Sequence, residues 1–350
     1  MSTRLTLSID GMGGDKAPQV VVEGIAAAVE RLANVDFLLF GDESQLSPLV
    51  ARYPRLAGVV RIRHTGDAVT NGEKPSVALR SGRNSSMRLA IDAVASGEAA
   101  GVVSAGNTGA LMAMAKFVLK TLPGIDRPAI AAYFPTERGE SVMLDLGANV
   151  ECDADNLVQF AVMGEVFARR VLSIKDPSIG ILNVGVEDLK GNEAVKKAAA
   201  ILKEADLPIK FYGFVEGDDI GEGTVDVIVT DGFTGNIALK TAEGTAKMFA
   251  HLLKEALMST LVGRVCALIA RPALNAFKMK IDPRRYNGAL FVGLNGICIK
   301  SHGGADAVGF ANAINVAYEL VVDRLNEGIK ADIARLTTGP RQINGAAASL

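Results

Sequence analysis

Val225-Asp226-Val227-Ile228-Val229-Thr230-Asp231-Gly232-Phe233-Thr234-Gly235-Asn236-Ile237 passes from a β-branched apolar run, through a polar glycine-hinged turn, into helix-forming residues. A strand that is apolar at nearly every position must be buried on both faces, which is the condition of a parallel sheet covered by helices. The turn brings Asp231, Thr234 and Asn236 to the strand's carboxyl end and the following first helical turn, where open α/β sheets hold their ligands. An ordinary capped turn is the alternative, but three polar side chains among glycines favour function.

The same pattern recurs on either side of this stretch. Apolar runs at Leu5 to Ile9, Phe37 to Phe40, Val59 to Ile62, Gly101 to Ser104, Ile130 to Tyr133, Val142 to Leu146, Ile179 to Val184 and Ile209 to Phe214 read as strands. Amphipathic stretches at Val20 to Leu32, Ser86 to Ala95, Ala154 to Val171 and Glu193 to Ala205 read as helices between them. The alternation predicts an α/β fold in three layers, α/β/α, with a largely parallel sheet. No repeat or Pro/Ser-rich linker divides the 350 residues, so a single catalytic domain is expected over 1–336, with 337–350 a flexible tail.

Composition removes several functions. A net charge of −2 argues against a general nucleic-acid binder, which needs surplus Lys and Arg to neutralise phosphates. Cys152, Cys266 and Cys298 are far apart and odd in number, so neither a disulfide framework nor a thiolate zinc site is expected, and the compartment should be reducing. The N-terminus lacks the apolar core of a secretory signal. Arg264, Arg271 and Pro272 interrupt the most apolar late stretch, Leu261 to Phe277, so no membrane span is expected. A cytoplasmic protein is the expectation.

Six glycine-rich segments carry the polar residues that chemistry needs. Asp10-Gly11-Met12-Gly13-Gly14-Asp15-Lys16-Ala17-Pro18 follows the first strand and opens a helix, a pattern suited to an anion held by backbone N–H groups or to a tight turn. Ser104-Ala105-Gly106-Asn107-Thr108-Gly109 and Asp145-Leu146-Gly147-Ala148-Asn149 stand at two further strand ends, where helix capping and ligand binding are both open. Lys190 and Asn192 sit among the glycines of Asn183 to Glu193, and Lys300-Ser301-His302-Gly303-Gly304 gathers a cation, a hydroxyl and an imidazole. The Asp231 to Asn236 turn completes the set.

The glycine spacings fit neither a dinucleotide fingerprint nor a Walker loop, no HExxH or His/Cys cluster occurs, and no GxSxG elbow is present. No cofactor and no metal are expected, and a covalent Ser or Cys intermediate has little support, so the substrate should bring its own nucleophile.

IDGMGGDKAP, SAGNTGALM, DLGAN, NVGVEDLKGN, GFVEGDDI, VDVIVTDGFTGNIALKTAEG and GLNGICIKSHGGAD follow one another over nearly the whole chain. The series resembles the acyl-carrier-protein:phosphate acyltransferase family of bacterial phospholipid synthesis. One such motif is weak; seven in order are specific. Gly11 stands where the family more often has Ala, and Val186 where it often has an acidic residue, which weakens a role for an acid there.

The resemblance implies a fold similar to the isocitrate dehydrogenase/phosphotransacetylase-like group, a homodimer, and peripheral association with the inner face of the cell membrane. The implied reaction joins inorganic phosphate to the acyl group of an acyl carrier protein thioester, for use by a membrane acyl phosphate:glycerol-3-phosphate acyltransferase. The expected substrate pocket comprises Asp10, Gly13, Gly14, Asp15, Ser104, Asn107, Thr108, Asp145, Asn149, Asn192, Asp231 and Thr234. Lys300 would hold phosphate, Asn236 or a backbone N–H would polarise the carbonyl, and His302 or Lys190 would protonate the leaving thiolate. A phosphotransacetylase using short acyl coenzyme A thioesters is the alternative of the same chemistry.

Between about 245 and 285, apolar residues recur at helical spacing, including Leu261, Val262 and Val265, and Arg264, Arg271, Lys278, Arg284 and Arg285 interrupt or follow them. This projecting segment is expected to contact membrane through Leu261, Val262 and Val265, and carrier protein or lipid headgroups through the five basic residues. A core or dimer-interface helix is the competing reading.

Overall fold

The near-continuous apolar runs pair edge to edge in a computed structural model that describes residues 4–32, 34–204, 209–280 and 282–338. The strands among them are β1 (Leu5–Asp10), β2 (Val35–Gly41), β3 (Val60–His64), β4 (Gly101–Ser104), β5 (Ala129–Thr136), β6 (Gly139–Leu144), β7 (Ser178–Leu182), β8 (Lys210–Val215), β9 (Val227–Val229), β10 (Ala289–Val292) and β11 (Ile297–Lys300). They form one sheet in the order β3-β2-β1-β4-β11-β10-β5-β6-β9-β7-β8.

The sheet is not parallel throughout. β3, β2, β1, β4 and β11 run together, and so do β6, β9, β7 and β8. Between the two blocks the chain direction reverses at β11/β10, β10/β5 and β5/β6. Three reversals leave the blocks antiparallel to one another, so their carboxyl ends point to opposite edges. The apolar run from Ala289 to Ile299 is itself a hairpin, turned by Gly293-Leu294-Asn295-Gly296 with Gly293 at φ +92°, a conformation that favours glycine.

Helices cover both faces: α1 (Gln19–Val29), α2 (Glu43–Val50), α3 (Pro75–Ser81), α4 (Ser86–Ala95), α5 (Thr108–Leu119), α6 (Ala154–Val171), α7 (Glu193–Glu204), α8 (Asp219–Glu222), α9 (Gly232–Met258), α10 (Leu261–Ile269), α11 (Arg271–Lys280), α12 (Ala307–Val322) and α13 (Leu325–Thr338). One core packs α1, α6, α7 and α12 against Leu7, Ile9, Leu144, Val229 and Ile299. The other packs α4 and α5 against Leu38, Val102, Met143 and Cys298. Alternate strand residues thus feed opposite cores, as a doubly covered sheet requires. Thr337 and Thr338 close α13, and 339–350 lie outside the described residues.

The segment after Asp231 departs from a compact helix. α9 packs Ala238 and Leu239 on the second core and then continues into solvent. Leu261, Val262, Leu268 and Ile269 are 79%, 74%, 68% and 75% exposed, and α10 buries no residue. A core helix is therefore excluded within this chain. Among the described residues no helix is long and apolar enough to cross a membrane.

Candidate active site

Asp10 ends β1 with its carboxylate fully buried, which raises its pKa above the usual carboxylate value. Hydroxyl donors from two other elements oppose that rise: Ser104 Oγ reaches Oδ2 at 2.7 Å and Ser86 Oγ reaches Oδ1 at 2.6 Å. Ser104 Oγ also accepts from Gly106 N at 3.1 Å, tying the end of β4 to the same carboxylate. The glycine loop wraps this knot closely. A Cβ on Gly13 would lie 2.4 Å from Asp10 Oδ2 and 2.8 Å from Gly106 N, so only glycine fits.

β11 brings Lys300 into register with Ser104, and its Nζ turns toward the carbonyls of Ser301 and Ala105. Burial lowers the Lys300 pKa to about 8, against the pull of Asp10 and Asp15, while Lys240 lowers it further. Asp15 is anchored twice: its N–H donates to Gly303 O at 2.9 Å and its Oδ1 accepts from Asn71 Nδ2 at 2.7 Å. His302 is exposed beside this cluster. Its Nδ1 accepts from Gly304 N at 3.0 Å, which places the proton of a neutral ring on Nε2. Desolvation and the neighbouring Lys240, Lys300 and Lys247 lower its pKa.

Asp10, Gly13, Gly14, Asp15, Ser104, Lys300 and His302 are thus brought together at the carboxyl ends of β1, β4 and β11. A recess of about 10 Å³ bounded by Gly13, Gly14, Lys16, Ala105, His302 and Gly303 has room for about one water. It adjoins a groove of about 580 Å³ between α1 and α2, a size suited to part of an organic substrate. Thr108 is exposed at the first turn of α5 nearby. Asn107 caps α5, its Oδ1 accepting from Ala110 N, while its amide donates to Asn71 O and Glu73 O. Both amide protons are engaged, so the Asn107 side chain straps the 71–73 loop to α5.

The remaining expected residues lie with the other block. Asp145, fully buried after β6, accepts from the N–H groups of Ile130, Gly147, Ala148 and Asn149 and from Asn149 Nδ2, all within 2.7–3.1 Å. Asn149 returns its carbonyl to Gly232 N, and Asp231 caps α9 through Thr234 N and Oγ1. These four residues build the turn. Asn236 is exposed on α9 over Gly147. Asn192 caps α7 through Val195 N. Lys190 is exposed in the loop after β7, a strand five places from β11, or about 24 Å at ordinary strand spacing. Lys190 and Lys300 therefore do not share a site within this chain.

α9 links the two edges. It starts at Asp231 and carries Lys240, paired with Glu243 at 2.9 Å, into electrostatic reach of Lys300 and His302. Lys240 was not among the expected site residues, nor were Asn71 and Ser86. The one signal in the sequence is the seven-residue recurrence of Lys240, Lys247 and Lys254. Among the described residues no group of three or more His, Cys, Asp or Glu is placed to hold a metal ion.

Residues 5–327 match the family model described as fatty acid synthesis protein. A phosphate acyltransferase of Rhodospirillum centenum is 64% identical over 336 residues, covering 96% of this chain and 95% of the relative. Those of Paramagnetospirillum magneticum and Rhodospirillum rubrum are 62% and 59% identical, covering 96% and 98% of this chain and 96% and 99% of the relatives. The chain belongs to the phosphate acyltransferase family. Among solved structures, this family member is similar to a phosphotransacetylase from Streptococcus pyogenes, with TM-score 0.61 at 17% identity over 92% of this chain and 95% of the other. EutD phosphotransacetylase from Staphylococcus aureus gives TM-score 0.56 at 16% identity, covering 93% and 94%. At such identities the likeness concerns the fold alone, and the expected phosphotransacetylase-like α/β architecture is the one found.

Proposed function

We propose that this phosphate acyltransferase family member transfers a long-chain fatty acyl group from acyl carrier protein to inorganic phosphate, yielding acyl phosphate for phosphatidic acid and phospholipid synthesis. The observation that carries this is the Asp10 knot, which holds a glycine loop, a buried amine of pKa about 8 and a free imidazole Nε2 together. Hydrogen phosphate attacks the thioester carbonyl, a tetrahedral oxyanion forms, and the C–S bond breaks. Lys300 and the loop N–H groups hold the dianion, so positioning and charge stabilisation replace a dedicated nucleophile. The proton lost by the attacking hydrogen phosphate goes to the departing sulfur, which the Nε2–H of neutral His302 holds by a hydrogen bond. We assign the carbonyl's hydrogen-bond donor to Asn236, which lies one helical turn before Lys240 on α9 and so on the side of the helix that runs toward Lys300 and His302.

Purified protein, palmitoyl acyl carrier protein and phosphate, without nucleotide, are expected to yield acyl phosphate and free thiol in equal amounts. Asn236→Ala should lower that turnover at least tenfold, as loss of an oxyanion donor does. Turnover with short acyl coenzyme A thioesters alone would favour the phosphotransacetylase alternative, which the shared fold supports.

The exposed apolar α10 supports a contact surface for a membrane or a second copy, because monomers seldom expose such patches. We assign Leu261, Val262 and Val265 to lipid, in a homodimer that delivers acyl phosphate to a membrane acyltransferase from the cytoplasmic side. Leu261→Glu should abolish flotation with anionic vesicles; unaltered flotation would remove the tip from the membrane contact.

A further inference from the structure

The α9–α11 arm is charged unlike the rest of the chain. Residues 232–286 contain nine Lys and Arg against three Asp and Glu, a surplus of six in a protein of net charge −2, leaving −8 elsewhere. The cations of the arm are not equivalent. Arg284 is held by Asp282 and Asp306, while Arg264 and Arg285 donate to the carbonyls of Met258 and Met279. Lys247 and Lys254 are exposed on α9, and no ion pair or side-chain hydrogen bond engages them among the described residues.

Lys240, Lys247 and Lys254 recur every seven residues along one unbroken helix. Seven residues make nearly two turns, so the three share a face in a row about 21 Å long at 1.5 Å per residue. Met248, Phe249, Leu252 and Leu253 fall on other sides of the helix, which separates the cationic row from the apolar surface. The row begins at the active site, where Lys240 and Lys247 both act on His302.

We infer that this row of α9 lysines is the docking surface for the carrier protein, met by an acidic face of that partner, steering the thioester to Lys300 and His302. The inference rests on the acyl-transfer reading above and deepens it by naming where the protein part of the donor binds. Complementary charge of this kind acts mainly through encounter and orientation, and salt weakens it. A lipid surface would instead be met by the apolar side and tip.

The test is the affinity of full-length protein for palmitoyl acyl carrier protein, measured by titration at low and high salt, in wild type and in the variant Lys254→Glu, a position remote from His302. We expect Kd at low salt to rise about tenfold or more in the variant, and its salt dependence to flatten. KM for a palmitoyl pantetheine thioester, which lacks the protein, should stay within about twofold of wild type, since this donor gives the row nothing to bind. Unchanged carrier affinity would overturn the inference, and loss of vesicle flotation with carrier affinity intact would assign the row to lipid instead. A variant that becomes monomeric as it loses affinity would assign it to a second copy. Carrier binding without acyl phosphate formation in the wild type would refute the reaction and leave the docking row standing.

Discussion

Asp10 and Asp145 make the same first impression: each is a fully buried carboxylate at the end of a strand, followed by glycines, with a pKa raised by burial. Their partners differ. Asp145 is met by three backbone N–H groups and one side-chain amide of its own turn, and by the N–H of Ile130 on the neighbouring β5. Asp10 is met chiefly by hydroxyls from α4 and β4, with the buried amine of Lys300 in electrostatic reach. Backbone donors cannot reorient, whereas hydroxyls rotate and can accept as well as donate. One carboxylate is therefore committed to holding a turn, and the other joins three chain segments around a space beside a cation.

Replacing each by its isosteric amide separates the two roles. Asp10→Asn should leave denaturant stability within about 1–2 kcal/mol of wild type, because Ser86 and Ser104 can reverse their hydrogen bonds. Phosphate-dependent turnover should fall about a hundredfold or more, since the charge that keeps Lys300 protonated is lost. Asp145→Asn should do the reverse. Its NH2 would confront the N–H donors of Asn149 or of Ile130, Gly147 and Ala148, costing about 3 kcal/mol of stability. Equal loss of stability in both variants would break the distinction.

The same contrast shows what was legible beforehand. Strand and helix identity were, because burial on two faces writes itself into local composition: Gly101–Ser104, Ser86–Ala95 and Ala154–Val171 occur as read. Direction was not. Whether β6 and β9 run with β1 or against it depends on pairings between residues far apart in the chain, and no local period records it. The Ala289 to Ile299 run concealed the β10–β11 hairpin, since its turn is only four residues and two of them are apolar or amide. All six glycine turns therefore looked alike, although the sheet sends Asp10, Ser104 and Lys300 to one edge and Asp145, Asp231 and Lys190 to the other. Lys240 was hidden for another reason. A lysine in a long helix is usually a solvated one, and only the course of α9 toward His302 gives it a role.

Lys240 also offers the finest test of the Asp10 edge, because its influence on Lys300 is through space. With a folded pKa of about 8, below its ordinary 10.5, Lys300 is charged on the acid side of pH 8 and neutral above it. If its charge holds phosphate, KM reckoned on the hydrogen phosphate dianion should be flat below about pH 7 and rise as pH passes through about 8. Stability should move oppositely: between about 8 and 10.5 the unfolded chain binds more protons at this lysine, so stability from this group increases with pH. Lys240→Gln removes a cation that lowers the Lys300 pKa, so the break in KM should shift to higher pH, while KM at neutral pH rises only modestly. The shift should shrink in high salt, as expected for charges near the surface. A break that stays in place in Lys240→Gln would mean that α9 does not reach the phosphate edge electrostatically, and that Asp10, Lys300 and His302 work without help from the other half of the sheet.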